Sequence, residues 1–286
     1  MATEQRPIRL GRALVEGEPA IVVGYDGGVS LLSGLLPSAP TSMLDLIEGW
    51  AEWKPQLEEA LSSATAELDE ADLAWLAPLM PPKLVCVGAN YSAHNREMLG
   101  EVEADWPYLF LKPPSTTVIA TGESVPLPSY AAKVDYEAEL AAVMGPGGNI
   151  FGYTILNDVS VRDWVPATSV LGIDWVMSKC FDRSAPLGPW ILPAEYVTDP
   201  QNLSVRLWVN DEARQDGNTS DMVFTVSQCI EHTRKVMTVE VGDVIATGTP
   251  SGVGMGDGRY LHEGDMIRIE IEGLGAQHST IGASTR

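Results

Sequence analysis

Two glutamates stand two positions apart in the stretch 134–140, VDYEAEL, which runs on into an apolar segment. Side chains at i and i+2 of a β-strand point to the same face, so Glu137 and Glu139 would bring two carboxylates to one place. Neighbouring carboxylates disfavour joint ionisation unless a cation or a proton lies between them. On this fragment alone the pattern fits a cation site or an exposed strand face, and both interpretations stay open.

A third carboxylate follows in the fragment 152–164, GYTILNDVSVRDW. Its first part predicts an apolar strand and its second part is polar, so Asp158 falls at the end of that strand. Three oxygen ligands with no Cys or His beside them select a hard cation, Mg²⁺ or Mn²⁺, with Ca²⁺ less favoured and zinc disfavoured. Arg162 either orients one of these carboxylates, contacts a substrate, or forms a plain surface ion pair.

Two further fragments carry groups that handle charge and protons. Lys179 lies in the largely apolar stretch 175–182, WVMSKCFD, which indicates a local anionic partner, with a surface lysine as the alternative. Ser92 offers a cap for a helix that places His94 and Glu97 at i and i+3 on one face. A carboxylate that holds a neutral imidazole makes it a better general base toward water, although such pairs are also structural.

The glycine-rich stretch 247–258, TGTPSGVGMGDG, does not predict a nucleotide site. It lacks the Lys-Ser/Thr pair of a P-loop and gives no strand–GxGxxG–helix unit. Its backbone N–H groups and the Thr249 hydroxyl can still line a binding site.

The elements that must position these residues are mainly strands. Strands are predicted over 84–88, 108–112, 139–145, 150–156, 205–210, 243–248 and 266–273, with few and short helices between them. Residues 8–33 predict short strands with a hairpin turn at 26–28, and 41–69 predict helix interrupted at Pro55. A proline-rich linker follows, so we expect a small N-terminal α/β domain over 1–78 and a β-rich domain over 79–286.

Composition and charge limit the classes of function. The chain has 286 residues, 45% of them hydrophobic and 20% charged, as expected of a globular protein. Its formal net charge of −21 argues against nucleic-acid binding, which depends on Lys and Arg. The chain has no apolar run of the roughly 20 residues that cross a bilayer, and no signal-peptide pattern, so we expect a cytoplasmic protein. Three scattered cysteines predict buried thiols rather than disulfides or a zinc cluster.

Together these fragments resemble the fumarylacetoacetate hydrolase superfamily, which includes acylpyruvate hydrolases and oxaloacetate decarboxylase-like enzymes. The resemblance covers about residues 80–275 and implies a mixed β-sandwich roll, a β-rich α+β fold, that usually forms a homodimer. The matching segments occur in the family's order: GANYSAHNREM, LFLKPPSTTV, VDYEAELAAVMG, GYTILNDVSVRDW, MSKCFDRSAPLGPW, LWVNDEARQDGNTSDMVF, VEVGDVIATGTPSGVG and LHEGDMIRIEIEGLG.

The resemblance also implies a role for most of the candidate residues. The metal ligands would be Glu137, Glu139 and Asp158. The catalytic residues would be Lys179, which is the active-site lysine, and His94 with Glu97, which activate water on a mobile lid. Apart from the resemblance, the three carboxylates leave little positive charge for an anionic substrate, so we expect Arg162 and Thr249 as supplementary substrate contacts, with Tyr91 beside them.

The implied reaction is hydrolysis of a carbon–carbon bond in an acylpyruvate, a 2,4-dioxo acid, through an enolate that Mg²⁺ stabilises. The same chemistry serves decarboxylases, isomerases and lyases that act on 2-oxo acids such as oxaloacetate, and these stay open as alternatives. A catalytically silent binding subunit is a more distant one. The acids and the Trp in 99–106, LGEVEADW, lead us to expect that the site disfavours a second substrate carboxylate and admits an apolar acyl group.

Overall fold

The computed structural model describes residues 7–26, 28–100, 104–164 and 172–284. Its N-terminal part contains four strands and three helices within these ranges. They are β1 (Arg9–Val15), β2 (Glu18–Tyr25), β3 (Gly28–Leu31), α1 (Leu32–Leu35), α2 (Met43–Glu48), α3 (Trp50–Leu61) and β4 (Ala74–Leu76). β2 and β3 pair antiparallel, with Tyr25 opposite Gly28, as the predicted hairpin requires.

The rest of the described chain is dominated by strands. The strands are β5 (Leu84–Gly88), β6 (Tyr108–Lys112), β7 (Val118–Ile119), β8 (Ser124–Leu127), β9 (Val134–Asp135), β10 (Ala138–Met144), β11 (Ile150–Asn157), β12 (Ser160–Val161), β13 (Ala185–Pro186), β14 (Trp190–Pro193), β15 (Ser204–Val209), β16 (Glu212–Asn218), β17 (Val244–Ala246), β18 (Met266–Ile271) and β19 (Gly275–Ser284). The helices are α4 (Ser92–Leu99), α5 (Pro114–Thr117), α6 (Trp175–Lys179), α7 (Val226–Val236) and α8 (Gly254–Asp257).

Two large sheets contain most of the described strands, and the pairs β12-β9 and β13-β7 form two small sheets. Of the two large sheets, the larger has the order β3-β2-β1-β14-β11-β10-β17-β5-β6, with β4 added on β1, and the smaller has the order β16-β15-β18-β19-β8. Both are mixed, because β17 pairs with β5, and β19 with β8, in parallel. The β-rich α+β class and the mixed sandwich expected from sequence are therefore confirmed.

Strand β10 is buried on both faces, and its two faces have different partners. Leu140 and Ala142 pack in one core with residues of the smaller sheet, such as Ile269. Ala141 and Val143 point the other way, into a second core that includes residues of α2 and α3. Because side chains alternate along a strand, Glu137 and Glu139 point to the same side as Ala141 and Val143.

The N-terminal strands continue the larger sheet. β1 pairs antiparallel with β14, with Leu10 opposite Ile191, so the sheet runs across the predicted domain boundary at 78/79. That boundary stays a prediction. The helical stretch differs from expectation: the break falls at Gly49, whose N–H closes α2 on Asp45 O, while Pro55 lies inside α3. A Cβ at Gly49 would lie 2.7 Å from Nε1 of Trp53, so a larger residue there would have to displace that ring.

The predictions for cysteines and for membrane spans can also be compared with the structure. The prediction of buried thiols holds for Cys86 and Cys229 but is wrong for Cys180, which follows α6 and is partly exposed; all three are free thiols. Among the described helices, none combines the length and the apolar character that a membrane crossing demands.

Candidate active site

Three carboxylates converge where β10 begins and β11 ends. Glu137 directly precedes β10, Glu139 lies in it, and Asp158 directly follows β11. The antiparallel pairing of the two strands explains the convergence, because Asp158 N–H donates to Glu137 O at 2.9 Å and Glu137 N–H donates to Asn157 Oδ1 at 3.1 Å. One oxygen of each carboxylate lies within 4.8 Å of the other two. The structure thus brings the predicted trio together and buries it.

Each carboxylate has one oxygen held by a neighbouring donor. These contacts use different kinds of donor, but each fixes the rotation of one carboxylate and leaves its other oxygen for the centre of the trio. The fixed contacts are Arg162 Nη2 to Glu137 Oε1 (2.6 Å), Lys112 Nζ to Asp158 Oδ1 (2.7 Å) and Gly248 N–H to Glu139 Oε2 (2.9 Å).

The Lys179 ammonium lies between two of the remaining oxygens. Its Nζ contacts Glu137 Oε2 at 2.7 Å and Asp158 Oδ2 at 2.6 Å. The second oxygen of Glu139 has no hydrogen-bond donor among the described residues. Two hard oxygens that already contact a cationic group, together with the free Glu139 oxygen and each on a fixed carboxylate, fit a Mg²⁺ or Mn²⁺ ion with open coordination positions.

Burial and charge act in opposite directions on the two glutamates. Burial alone would raise the pKa of Glu137, but the charges of Lys179 and Arg162 outweigh it and hold that pKa far below its ordinary value. Burial raises the pKa of Glu139 well above its ordinary value, and the nearby charges of Asp158 and Glu137 raise it further. Glu139 is therefore the member of the trio that lacks a compensating cation.

Arg162 is a buried orienting group and not a surface ion pair. Besides Glu137, it binds Asp135, with Nε 2.8 Å from Asp135 Oδ2. Asp135 in turn accepts the N–H groups of Gly254 and Met255 at the start of α8. Of the alternatives open for Arg162, the structure supports orientation of a carboxylate, and the residue also lines the cavity described below.

The buried cluster has nearly balanced charge. Within the described chain it combines four carboxylates with three cations, which leaves one negative charge, and a divalent ion would change this to one positive charge. Such a site suits an anionic substrate, and buried charges persist only when they are paired in this way. The members are Asp135, Glu137, Glu139, Asp158, Lys112, Arg162 and Lys179.

Sequence reasoning assigned no role to Asp135 and Lys112. Asp135 continues the spacing of two that joins Glu137 and Glu139, and this spacing could have identified it. Lys112 ends the apolar strand β6 and is fully buried. A lysine within an apolar strand indicates a buried anionic partner, and this signal could have identified it.

The predicted His–Glu pair lies on α4. His94 Nδ1 is 3.4 Å from Glu97 Oε2, and Gly252 N–H donates to both oxygens of Glu97 at 3.2 Å. A Cβ at Gly256 would lie 2.2 Å from Glu97 Oε1, so glycine makes room for this carboxylate. Ser92 is the first residue of the helix rather than its cap, because Tyr91 occupies the cap position without a side-chain bond.

Thr249 and Tyr91 occupy different places. Thr249 lines the cavity, where its hydroxyl donates to Ala138 O at 2.9 Å and accepts from Gln215 Nε2 at 2.8 Å. Tyr91 is fully buried, burial raises its pKa, and its hydroxyl has no hydrogen-bond partner in the described part of the chain. It is not among the residues that line the cavity, so Tyr91 lies outside the cavity even though it is near Glu139.

A cavity of about 110 Å³ connects these groups. Most of its lining residues fall into two sets, which we call the charged group and the apolar group; His94, Asn95 and small residues line the rest. The charged group is almost fully buried, whereas Ile173 and Trp175 of the apolar group are each 37% exposed and lie at the opening. The charged group is Glu137, Glu139, Arg162 and Lys179; the apolar group is Val87, Met98, Phe110, Ile173 and Trp175.

Two packed, mixed sheets that hold a buried trio of carboxylates beside a small open cavity define a class of β-rich proteins with an acidic site. Comparison with known proteins narrows the class. Residues 83–282 match the family model described as fumarylacetoacetate (FAA) hydrolase C-terminal. The chain therefore belongs to the fumarylacetoacetate hydrolase family, and the resemblance seen in its motifs is confirmed.

Relatives within the family differ in the reactions for which they are named. The mitochondrial oxaloacetate tautomerase FAHD2A of Bos taurus is 35% identical over 88% of this chain and 83% of its own. The maleylpyruvate hydrolase of Sphingobium sp. SYK-6, solved with manganese(II) and pyruvate, is 30% identical with a TM-score of 0.78, covering 97% of this chain and 100% of its own. A 5-carboxymethyl-2-hydroxymuconate delta-isomerase from Mycobacterium smegmatis is 31% identical with a TM-score of 0.74, covering 97% of this chain and 100% of its own.

Proposed function

We propose that this protein is a Mg²⁺- or Mn²⁺-dependent enzyme that acts on 2-oxo acids. The reaction that we favour is the hydrolysis of acylpyruvates. The observation that carries the proposal is the trio Glu137, Glu139 and Asp158, each with one oxygen fixed and one directed to a common point. A maleylpyruvate hydrolase of the same fold, solved with manganese(II) and pyruvate, supports the same combination of ion and ligand.

The roles of the residues follow from their charge and position. A divalent ion, when bound, supplies a Lewis acid for the 2-oxo and carboxylate oxygens of the substrate. Lys179, buried beside the trio, adds positive charge where the 2-oxo oxygen becomes negative. Arg162 keeps Glu137 in place, and the Thr249 hydroxyl lies on the same cavity wall.

His94 is the proton carrier in this proposal. Glu97 orients the imidazole, which takes a proton from water as the hydroxide adds to the C4 carbonyl. The C3–C4 bond then breaks, its electron pair moves toward the 2-oxo group, and C3 receives the proton from His94. One water is consumed, and the products are a carboxylate, pyruvate and one proton.

A second candidate reaction is keto–enol tautomerisation of oxaloacetate, with decarboxylation as a variant. The 35% identity with the bovine oxaloacetate tautomerase favours it. In this reaction His94 would move a proton at C3 without attack by water. The same metal site and the same lysine would serve both reactions, because each places negative charge on the 2-oxo oxygen.

The assay that tests the proposal follows acylpyruvates and oxaloacetate in parallel with Mg²⁺, Mn²⁺ or EDTA. Hydrolysis predicts loss of the enol absorbance of an acylpyruvate with one pyruvate formed per molecule. Tautomerisation predicts loss of the oxaloacetate enol absorbance without pyruvate, and decarboxylation predicts pyruvate from oxaloacetate. Turnover that persists in EDTA, or no turnover of any 2-oxo acid, would contradict the proposal.

We further infer a homodimer in the cytoplasm. Large exposed side chains gather on and beside β6, the last strand of the larger sheet, and include Trp106, Tyr108 and Leu111. A dimer would cover such a surface. Sedimentation equilibrium showing a monomer at micromolar concentration would contradict the dimer.

A further inference from the structure

The apolar group forms one continuous wall beside the charged group. Phe110 and Trp175 stack with ring centroids 4.7 Å apart and an interplanar angle of 11°. Lys179 Nζ lies 5.0 Å from the centroid of the Phe110 ring, so the wall begins directly next to the ammonium. It ends at Ile173 and Trp175, which are partly exposed at the opening of the cavity. A ligand whose oxoacid end reaches the trio therefore lies with its other end against this wall.

The cations that line the cavity already have anionic partners. Arg162 binds Asp135 and Glu137, and Lys179 binds Glu137 and Asp158. Among the described lining residues, the remaining group able to carry positive charge is His94, which pairs with Glu97. A second carboxylate on the ligand would lose water at the apolar wall without gaining a cation in exchange.

The chain segments next to the lining residues Met98 and Ile173 are acidic rather than basic in sequence. Segments 99–107 and 163–178 contain no Lys or Arg, whereas they contain Glu101, Glu103, Asp105, Asp163 and Asp174. Glu101 and Glu103 lie outside the described residues. The nearest basic side chain on the helix of His94 is Arg96, which is exposed and does not line the cavity.

We propose that the site is specific for 2-oxo acids whose far end is uncharged and apolar, and that it discriminates against dicarboxylic ones. The proposal rests on the proposed function for the oxoacid end alone and assigns the substrate class at the other end to the apolar group. It places acylpyruvates with aliphatic or aromatic acyl groups ahead of oxaloacetate and other dicarboxylic 2-oxo acids.

Binding of inert analogues separates this specificity from turnover. N-isobutyloxamate and N-(carboxymethyl)oxamate share the oxoacid end and have equally many non-hydrogen atoms in the tail, but only the second carries a tail carboxylate. Neither has the C3 carbon at which the reaction occurs. Isothermal titration of the Mn²⁺-loaded protein should give at least about tenfold tighter binding of N-isobutyloxamate, because the tail carboxylate remains unpaired.

A new cation at the opening should reduce this preference. Trp175→Arg and, as a second variant in case the first disturbs α6, Ile173→Lys should each improve binding of N-(carboxymethyl)oxamate relative to N-isobutyloxamate by about fivefold. Val236→Arg is the matched control, because Val236 is an exposed apolar residue of α7 that does not line the cavity. It should leave the ratio unchanged.

The outcomes separate the two proposals. Equal or tighter binding of N-(carboxymethyl)oxamate to the wild-type protein would overturn this inference alone. Arg96→Ala would then identify Arg96 as the missed partner if it restored the preference for the neutral tail. Failure of both oxamates to bind the Mn²⁺-loaded protein would overturn the proposed function and this inference together.

Discussion

The charged group and the apolar group of the cavity are built in opposite ways. In the charged group each side chain is held by a specific partner, such as Arg162 by Asp135 or Glu139 by Gly248. The apolar group makes contacts without direction, and Ile173 and Trp175 are open to solvent. Fixed, buried charges determine which bond is activated, whereas an open apolar wall determines which molecule is admitted. Substitutions in the charged group should therefore impair catalysis, whereas substitutions in the apolar group should change which ligand binds.

The largest effect should come from removing a carboxylate of the trio. Glu139→Gln replaces the ligand that lacks a cationic partner, so we expect Mn²⁺ affinity and turnover of a 2-oxo acid to fall by more than about 100-fold. Electron paramagnetic resonance of free Mn²⁺ measures the affinity, and the pyruvate assay measures turnover. Glu263→Gln, an exposed glutamate, is the control. Retention of Mn²⁺ binding by Glu139→Gln would contradict the proposed metal site.

The next largest effect separates proton transfer from metal binding. His94→Gln should reduce kcat by about 10²–10⁴-fold, since a positioned general base contributes that much, while Mn²⁺ affinity stays unchanged. His262→Gln changes a histidine whose side chain is 82% exposed and serves as the control. A His94→Gln enzyme with nearly wild-type kcat would remove His94 from the mechanism.

A third test concerns the lysine that bridges two ligands. Lys179→Met leaves Glu137 and Asp158 without this buried cation, so the free energy of unfolding in EDTA should fall by about 3–5 kcal/mol. Saturating Mn²⁺ should recover much of this loss, because the ion compensates the same carboxylates. Urea unfolding in EDTA and in saturating Mn²⁺ measures both free energies of unfolding. Lys235→Met, which changes an exposed lysine, is the control. Equal losses in both conditions would show that Lys179 does not occupy the position of the ion.

The smallest effect is expected at Tyr91, which lies near Glu139 but outside both groups. Its hydroxyl is buried without a partner in the described structure, so Tyr91→Phe should leave KM unchanged and change the free energy of unfolding by no more than about 1 kcal/mol. Steady-state kinetics and urea unfolding check this. A KM raised tenfold would restore Tyr91 to the substrate site, as the sequence suggested.

Local patterns in the sequence indicated which carboxylates could meet, and the resemblance to the family then assigned them as metal ligands. The spacing of two placed Glu137 and Glu139 on one face, and the polar end of an apolar strand placed Asp158. The partners of these residues could not be found in this way, because Lys112 is 46 residues from Asp158, and Gln215, which holds the start of β10, is 77 residues from Ala138. Contacts of this kind depend on the pairing of distant strands, which no local periodicity records.

The same limit applies to the fold. Predicted strands such as 84–88 and 108–112 coincide with β5 and β6, because alternation and flanking turn residues are local signals. The pairing of β1 with β14 joins residues about 180 positions apart and had no local signal. Pro55 was assigned the helix break that lies at Gly49, the residue type with the greater backbone freedom, whereas α3 continues through Pro55.

The most direct test of the account is an anomalous difference map from a crystal soaked in Mn²⁺. We expect one strong peak per chain, bonded to one oxygen each of Glu137, Glu139 and Asp158, with Lys179 Nζ displaced from its place between two of them. The opposite oxygens should keep their contacts with Arg162, Gly248 and Lys112. A map with no peak within bonding distance of all three carboxylates would contradict the central claim.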